Sequence, residues 1–421
     1  MRVLRLVMGL ALVSLVFTQC KKDNLLDELP SDDPALKSAP NGMFTVTVKN
    51  VSKNYDYFSG GAEFGVSGGD MTPPANPGET ITVHFHAGRN HKLSFGSMYG
   101  ASNDWFYAPN GGGIQLFSGD PAVALEGDIT DMIHLWDAGT EVDGSGSPGT
   151  PEHEHVALET GAASMEDNIQ VSLDYDGVSM FTLTINVLAG SETPLSPVAW
   201  VVHSNGQHPI FTEGTFDYGN GLEDLAEMGN AAPLGDYLKM HSGYVSPVAP
   251  ILWVLHDKKD NPIFTEGAPD YGIGLETLAE TGNPGPLHAS LMSAGYVTGV
   301  QAIPEGGGSA APIFPGEKYV FTIDGQVGQS LSITSMLGAS NDEFFSTGEE
   351  GIKLSNGMDE KDITHFFEIY DAGTEVNEYP GAGYHQGGPE GPDEMGNVRL
   401  LNDEFKWPNA SQVIKVTIKK N

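Results

Sequence analysis

Two segments of this chain occur twice, and that repetition limits what it can fold into. Gly100-Ala101-Ser102-Asn103-Asp104-Trp105-Phe106 returns 238 residues later as Gly338-Ala339-Ser340-Asn341-Asp342-Glu343-Phe344. Asp137-Ala138-Gly139-Thr140-Glu141-Val142 returns unchanged, 234 residues later, as Asp371-Ala372-Gly373-Thr374-Glu375-Val376. Nearly equal offsets mean that a whole folding unit is duplicated. A second repeat, a unit of roughly 50 residues, lies between them. Ser196-Pro197-Val198-Ala199, Ile210-Phe211-Thr212-Glu213-Gly214 and Leu225-Ala226-Glu227 return as Ser246-Pro247-Val248-Ala249, Ile263-Phe264-Thr265-Glu266-Gly267 and Leu278-Ala279-Glu280.

Local patterning gives the class of unit. Phe44-Thr45-Val46-Thr47-Val48 alternates apolar with polar, the period of a strand with one buried face. Residues 81–85, 91–98, 132–136, 181–187, 319–323, 331–333 and 413–418 are expected to be strands as well. Pro77-Gly78 and Pro315-Gly316 are turn signals ahead of strands. Short helical patterns, bounded by Gly and Pro, fall at 221–228, 234–241, 274–281 and 287–294. With 54 Gly and 27 Pro in 421 residues, the chain has a turn-rich, all-β composition. The expectation is two tandem antiparallel β-sandwich domains with short helices in an inserted connection. Their expected spans are 43–192 and 193–421, with an extra tandem unit at about 196–245.

The start of the chain reads as an address. Arg2 and Arg5 precede an apolar run from Leu6 to Phe17, too short to span a bilayer, and the only cysteine, Cys20, follows. Residues 1–20 look like a bacterial lipoprotein signal ending at a lipidated Cys20. An ordinary secretory signal with an incidental thiol is the other reading. Residues 21–42 are polar and Pro-punctuated, as a flexible tether would be. The expected location is the cell envelope, lipid-anchored to the outer membrane, facing the periplasm or the exterior. A formal charge of −36 opposes binding to nucleic acid or to anionic lipid, leaving the lipid anchor as the membrane contact. One cysteine excludes a disulfide scaffold.

The chemistry is concentrated in the duplicated acids. Asp104, and Asp137 with Glu141, each follow an expected strand and enter Gly-containing turns. Carboxylates at the same end of neighbouring strands can converge, and converging carboxylates repel unless a cation lies between them. Calcium suits such loops because it takes six to eight oxygen ligands in flexible geometry. Zinc would want nitrogen or sulfur, which neither motif carries. The competing reading is that these acids merely cap turns. Recurrence of all three at Asp342, Asp371 and Glu375 favours the cation.

At these residues a family becomes recognisable. Ser-Asn-Asp-Trp-Phe followed by Trp-Asp-Ala-Gly-Thr-Glu resembles the spondin N-terminal domain shared by F-spondin and mindin. The second copy, with Phe264-Thr265-Glu266-Gly267, Leu278-Ala279-Glu280 and 371–383, is similar to a complete bacterial spondin domain. The resemblance covers most of 43–421. It implies an antiparallel sandwich, similar to calcium-dependent membrane-targeting modules, with one bound Ca2+ per domain. The implied ligands are Asp104, Asp137 and Glu141, and Asp342, Asp371 and Glu375. Some animal members have Asp where Glu141 and Glu375 stand, so direct binding and binding through water both stay open. Copy one departs from the pattern. It lacks the Phe-Thr-Glu-Gly and Leu-Ala-Glu segment after its first strand, which suggests a trimmed domain closed by 181–187.

Other candidates carry weaker signals. Glu152-His153-Glu154-His155 reads as a surface loop or an adventitious transition-metal site. His203 and His256, after matching strands, read as hydrogen-bonded structural histidines or as a functional pair. Trp105 and Trp136 are expected near the ion site. No nucleophile elbow, His-Glu-x-x-His or phosphate loop is present, and the Gly-rich stretches 111–113 and 306–308, which lack the strand-to-helix setting such chemistry needs, read as loops. The expected function is a non-enzymatic, calcium-binding lipoprotein that binds a protein or glycan in adhesion. A structural envelope spacer and a metal-dependent hydrolase are the alternatives.

Overall fold

A computed structural model describes residues 41–68, 73–144, 149–160, 167–386, 391–402 and 405–421. The signal segment 1–20, Cys20 and the tether up to residue 40 lie outside the described residues. Among the described residues, no helix is long and apolar enough to cross a membrane.

The protein is mainly β, with several antiparallel sheets and a few short helices. One sheet runs in the order Gly127–Asp128, Ile169–Tyr175, Met180–Val187, Thr80–His86, Val66–Ser67. A second runs Ala157–Leu158, Ile133–Asp137, Trp105–Pro109, His91–Met98, Val198–Ser204, Ser59–Glu63. Their inward residues, among them Val83, Phe85, Leu93, Phe95, Val171 and Leu183, form one buried cluster. Period-two alternation produces it: Met180–Val187 buries Phe181, Leu183, Ile185 and Val187 and turns Thr182 and Thr184 outward.

The other half repeats the plan. Lys318–Gln326, Asn41–Asn50, Ile414–Lys420 and Lys361–Asp362 form one sheet. Val297–Gln301, Ile251–His256, Ser330–Met336, Glu343–Ser346, Glu368–Asp371 and Arg399–Leu400 form the facing one. A second buried cluster, including Phe44, Val46, Tyr319, Leu331, Phe345 and Val416, fills the space between them. The duplication extends to small detail. Thr130 N–H donates to Asp128 Oδ1 and Thr364 N–H to Asp362 Oδ1, both at 2.9 Å.

Helices cover the outer face of each larger sheet. Leu222–Met228 places Leu222, Leu225 and Ala226 on one side, the i, i+3, i+4 spacing of a buried stripe. These pack with Ala232–Met240 against Phe106, Trp136 and Val201. Leu275–Thr281 and Gly285–Ser293 pack likewise against Leu252, Val254 and Phe344.

Strand pairing crosses the boundary expected between residues 192 and 193 in both directions. Val198–Ser204, from the tandem unit, lies between His91–Met98 and Ser59–Glu63. The Phe-Thr-Glu-Gly and Leu-Ala-Glu segments that copy one lacks in linear order are therefore present beside it, supplied by residues 210–227. Asn41–Asn50, expected to open the first domain, pairs instead with Lys318–Gln326 and Ile414–Lys420. It occupies the position that Met180–Val187 holds in the other half. There the neighbouring strand, Ile169–Tyr175, precedes it by a hairpin; here the equivalent, Ile414–Lys420, is the last strand. A strand's neighbour is decided by which apolar face it completes, so linear order does not reveal this exchange.

Candidate metal centre

The two acidic motifs fold into the same web of hydrogen bonds. Asp104 immediately precedes the strand Trp105–Pro109, which pairs with Ile133–Asp137. That pairing places the Asp104 carboxylate under the turn after Asp137. Asp104 Oδ2 accepts the backbone N–H groups of Thr140 and Glu141, each at 2.9 Å, and the Thr140 hydroxyl at 3.4 Å. Asp342 Oδ2 accepts from Thr374 and Glu375 at 2.9 and 3.1 Å, and from the Thr374 hydroxyl at 3.3 Å. Asp137 and Asp371 accept from Gly139 and Gly373 N–H at 2.7 and 2.6 Å. Glu141 and Glu375 accept from Gly149 and Gly391 at 2.7 and 2.6 Å. The turn needs glycine at 139: φ is +69°, and a Cβ there would stand 2.8 Å from the backbone of Glu154.

The turn-capping reading thus accounts for one oxygen of each buried aspartate. Asp104 and Asp342 are both fully buried, and Oδ1 of each has no hydrogen-bond partner. A buried carboxylate oxygen without a donor is costly and is normally answered by a proton or a cation. Electrostatics agree. Burial, then the charges of Asp104, Asp143 and Glu152, push Asp137 up to about 6. Burial, then Asp371, raises Asp342. The donors are all oxygen, the preference of calcium. Among the described residues, however, no three His, Cys, Asp or Glu side chains already stand at metal-holding spacing. Asp104 and Glu141 are joined directly through the Glu141 N–H; Asp137 is linked to them through the turn and through charge.

Two acids read only as sequence repeats belong to this neighbourhood. Glu227, on Leu222–Met228, is raised by burial and by Glu141, Glu223 and Asp104, while the Thr140 side chain bonds it. Its counterpart Glu280 is pushed up to about 7 by burial, then by Glu375, Glu276 and Asp342, and it bonds Thr374. Their shared position in the Leu-Ala-Glu repeat was the available signal. Where copy one has Trp105, which donates to Asp143 at 2.8 Å, copy two has the fully buried Glu343. Burial, Asp342 and Asp371 raise Glu343. Trp136 packs against Phe211 on the helix side, with its Nε1–H donating to Ala108 O.

The four histidines that the sequence singled out are held by ring stacking or by hydrogen bonds. His153 stacks on Phe216 at 4.1 Å and His155 tilts against the same ring at 4.3 Å. His203 is buried between Ser94 Oγ at 2.9 Å and Ser204 O at 3.0 Å, and His256 between Ser332 Oγ and Asp257 O, both at 2.8 Å. Each Nδ1 faces a carbonyl and must carry a proton, and in the neutral His203 ring Nε2 then accepts from Ser94. Burial lowers His203 to about 4. These pairs have the composition of a nucleophile and its base, yet Gly113 lies directly over the first one. A Cβ at Gly113 would meet His203 Nε2 and Ser94 Oγ at 2.7 Å, with φ already +72°. Gly113→Ala is therefore expected to cost about 2–4 kcal/mol. Gly78→Ala, at φ +94° with open space around it, is expected to cost about 1 kcal/mol. Urea midpoints of the two variants check the difference.

No protein-family model matches the chain, and no curated protein matches it. The likeness to spondin domains therefore rests on the motifs.

Proposed function

We propose that the chain is a calcium-binding cell-envelope lipoprotein whose two halves are spondin-like β-sandwich domains. It acts as a non-enzymatic module that binds a protein or glycan at the cell surface. The observation that carries this reading is the repeated, fully buried aspartate, Asp104 and Asp342, with one oxygen unpartnered. In the first half Asp104, Asp137 and Glu141 would hold the ion, with Glu227 beside them; in the second, Asp342, Asp371 and Glu375, with Glu280. The ion supplies positive charge and cross-links the loops at one end of each sheet pair. Cys20 would carry the acyl anchor.

The sheltered Ser94–His203 and Ser332–His256 pairs favour this reading over hydrolysis, because a general base must reach an open site. Metal analysis of protein dialysed against calcium and then buffer tests the ion. Retained calcium, lost in Asp104→Asn with Asp342→Asn, is expected. Retention of none, or of a transition metal, overturns the calcium assignment.

A further inference from the structure

The two carboxylate sites share their backbone web and differ in the charges beside it: the second has the buried Glu343 where the first has Trp105, and it has an arginine on Asp371. Strand pairing sets Arg399 directly opposite Asp371. Its guanidinium reaches Asp371 Oδ2 through Nη2 at 2.7 Å and through Nε at 2.9 Å. Nη2 also lies 3.5 Å from Glu394. Asn377 Nδ2 donates to the same Asp371 oxygen at 3.1 Å, and Gly373 N–H holds the other. Both oxygens of Asp371, itself fully buried, are thus occupied from within the chain. At the same register in the first half, Asp137 faces Ala157. Ala157 is exposed and carries no charge. Among the described residues, no Lys, Arg or His pairs with Asp137.

We propose that Arg399 is the resident counter-cation of the second site, and that calcium binds tightly in the first site and weakly in the second. This rests on the calcium reading and sharpens it. A divalent ion at the second site must approach a guanidinium and compete with it for Asp371 Oδ2, whereas at the first site no Lys, Arg or His among the described residues takes that role. Arg399 is half exposed, so solvent softens the repulsion without removing the competition. Mutating the hydrogen-bond partner of a metal-ligating carboxylate changes metal affinity by about 10- to 100-fold, and a guanidinium seated on the ligand oxygen itself acts against the metal. The second half then keeps its loops ordered by an internal ion pair when calcium is scarce, and the first half does not.

Calorimetric titration of the full chain with calcium chloride tests this. Asp104→Asn reports the second site alone, and Asp342→Asn the first. The first site is expected to bind at least about tenfold more tightly. Arg399→Ala on the Asp104→Asn background is expected to tighten the remaining site by a similar factor. Ala157→Arg, a change at an exposed position, is expected to weaken the first site. Equal affinities, or no tightening on loss of Arg399 in a variant that melts cooperatively, overturn the ranking while leaving the calcium reading in place. Absence of calcium binding in every variant overturns that reading, and the ranking with it.

Discussion

Val46→Asp is expected to destabilise strongly the half of the protein built around Ile414–Lys420, although Val46 lies some 370 residues earlier in the chain. Val46 is fully buried, opposite Phe321 on one side and Ile418 on the other. Losing its burial forfeits about 1.5–3 kcal/mol. Placing a carboxyl there without a hydrogen-bond partner adds a desolvation penalty, for a total of roughly 4 kcal/mol or more. Domains have only about 5–15 kcal/mol in hand. For a unit of this size the transition should fall by roughly 10 °C or more. Lys49→Asp, on the exposed side of the same strand, should move it little. Calorimetric scans of both variants check the pairing. An unchanged transition in Val46→Asp would mean that the strand does not complete that sheet.

The strands were legible because their burial alternates. Residues 44–48, 81–85, 181–187 and 319–323 all fall inside observed strands. The helices were legible because Gly221, Gly229, Gly274 and Gly282 bracket apolar stripes, and all four adopt positive φ. Val413 departs from its expected strand: it ends the short helix Ala410–Val413, whose capping box uses Asn409 and Gln412. Strand neighbours were not legible, because alternation specifies which face is buried and not what covers it. The repeated acids stood out through their spacing. Glu227 and Glu280 were visible only as repeat markers, since a helix brings them to the turn from a distant segment. Arg399 had no counterpart in copy one, so the repeat concealed it; only register reveals its partner.

The second large effect concerns the metal-free state. Asp137 is raised to about 6 and Glu280 to about 7, so the folded chain holds these protons more tightly than the unfolded chain does. Between about pH 4 and pH 7 the native state therefore binds more protons, and without metal its stability falls as pH rises through that window. On the proposed reading, calcium would answer the same charges. At a free concentration 100 times Kd, one site contributes about 2.7 kcal/mol, or roughly 5–10 °C for a unit of this size. Because protons and calcium compete for the carboxylates, that gain should be larger at pH 7 than at pH 5.

Thermal unfolding at pH 7 with excess calcium, and again with a calcium chelator, addresses the central claim most directly. Calcium should raise the transition by several degrees in the wild-type chain and fail to do so in Asp104→Asn with Asp342→Asn. Superimposable wild-type scans with and without calcium would contradict it.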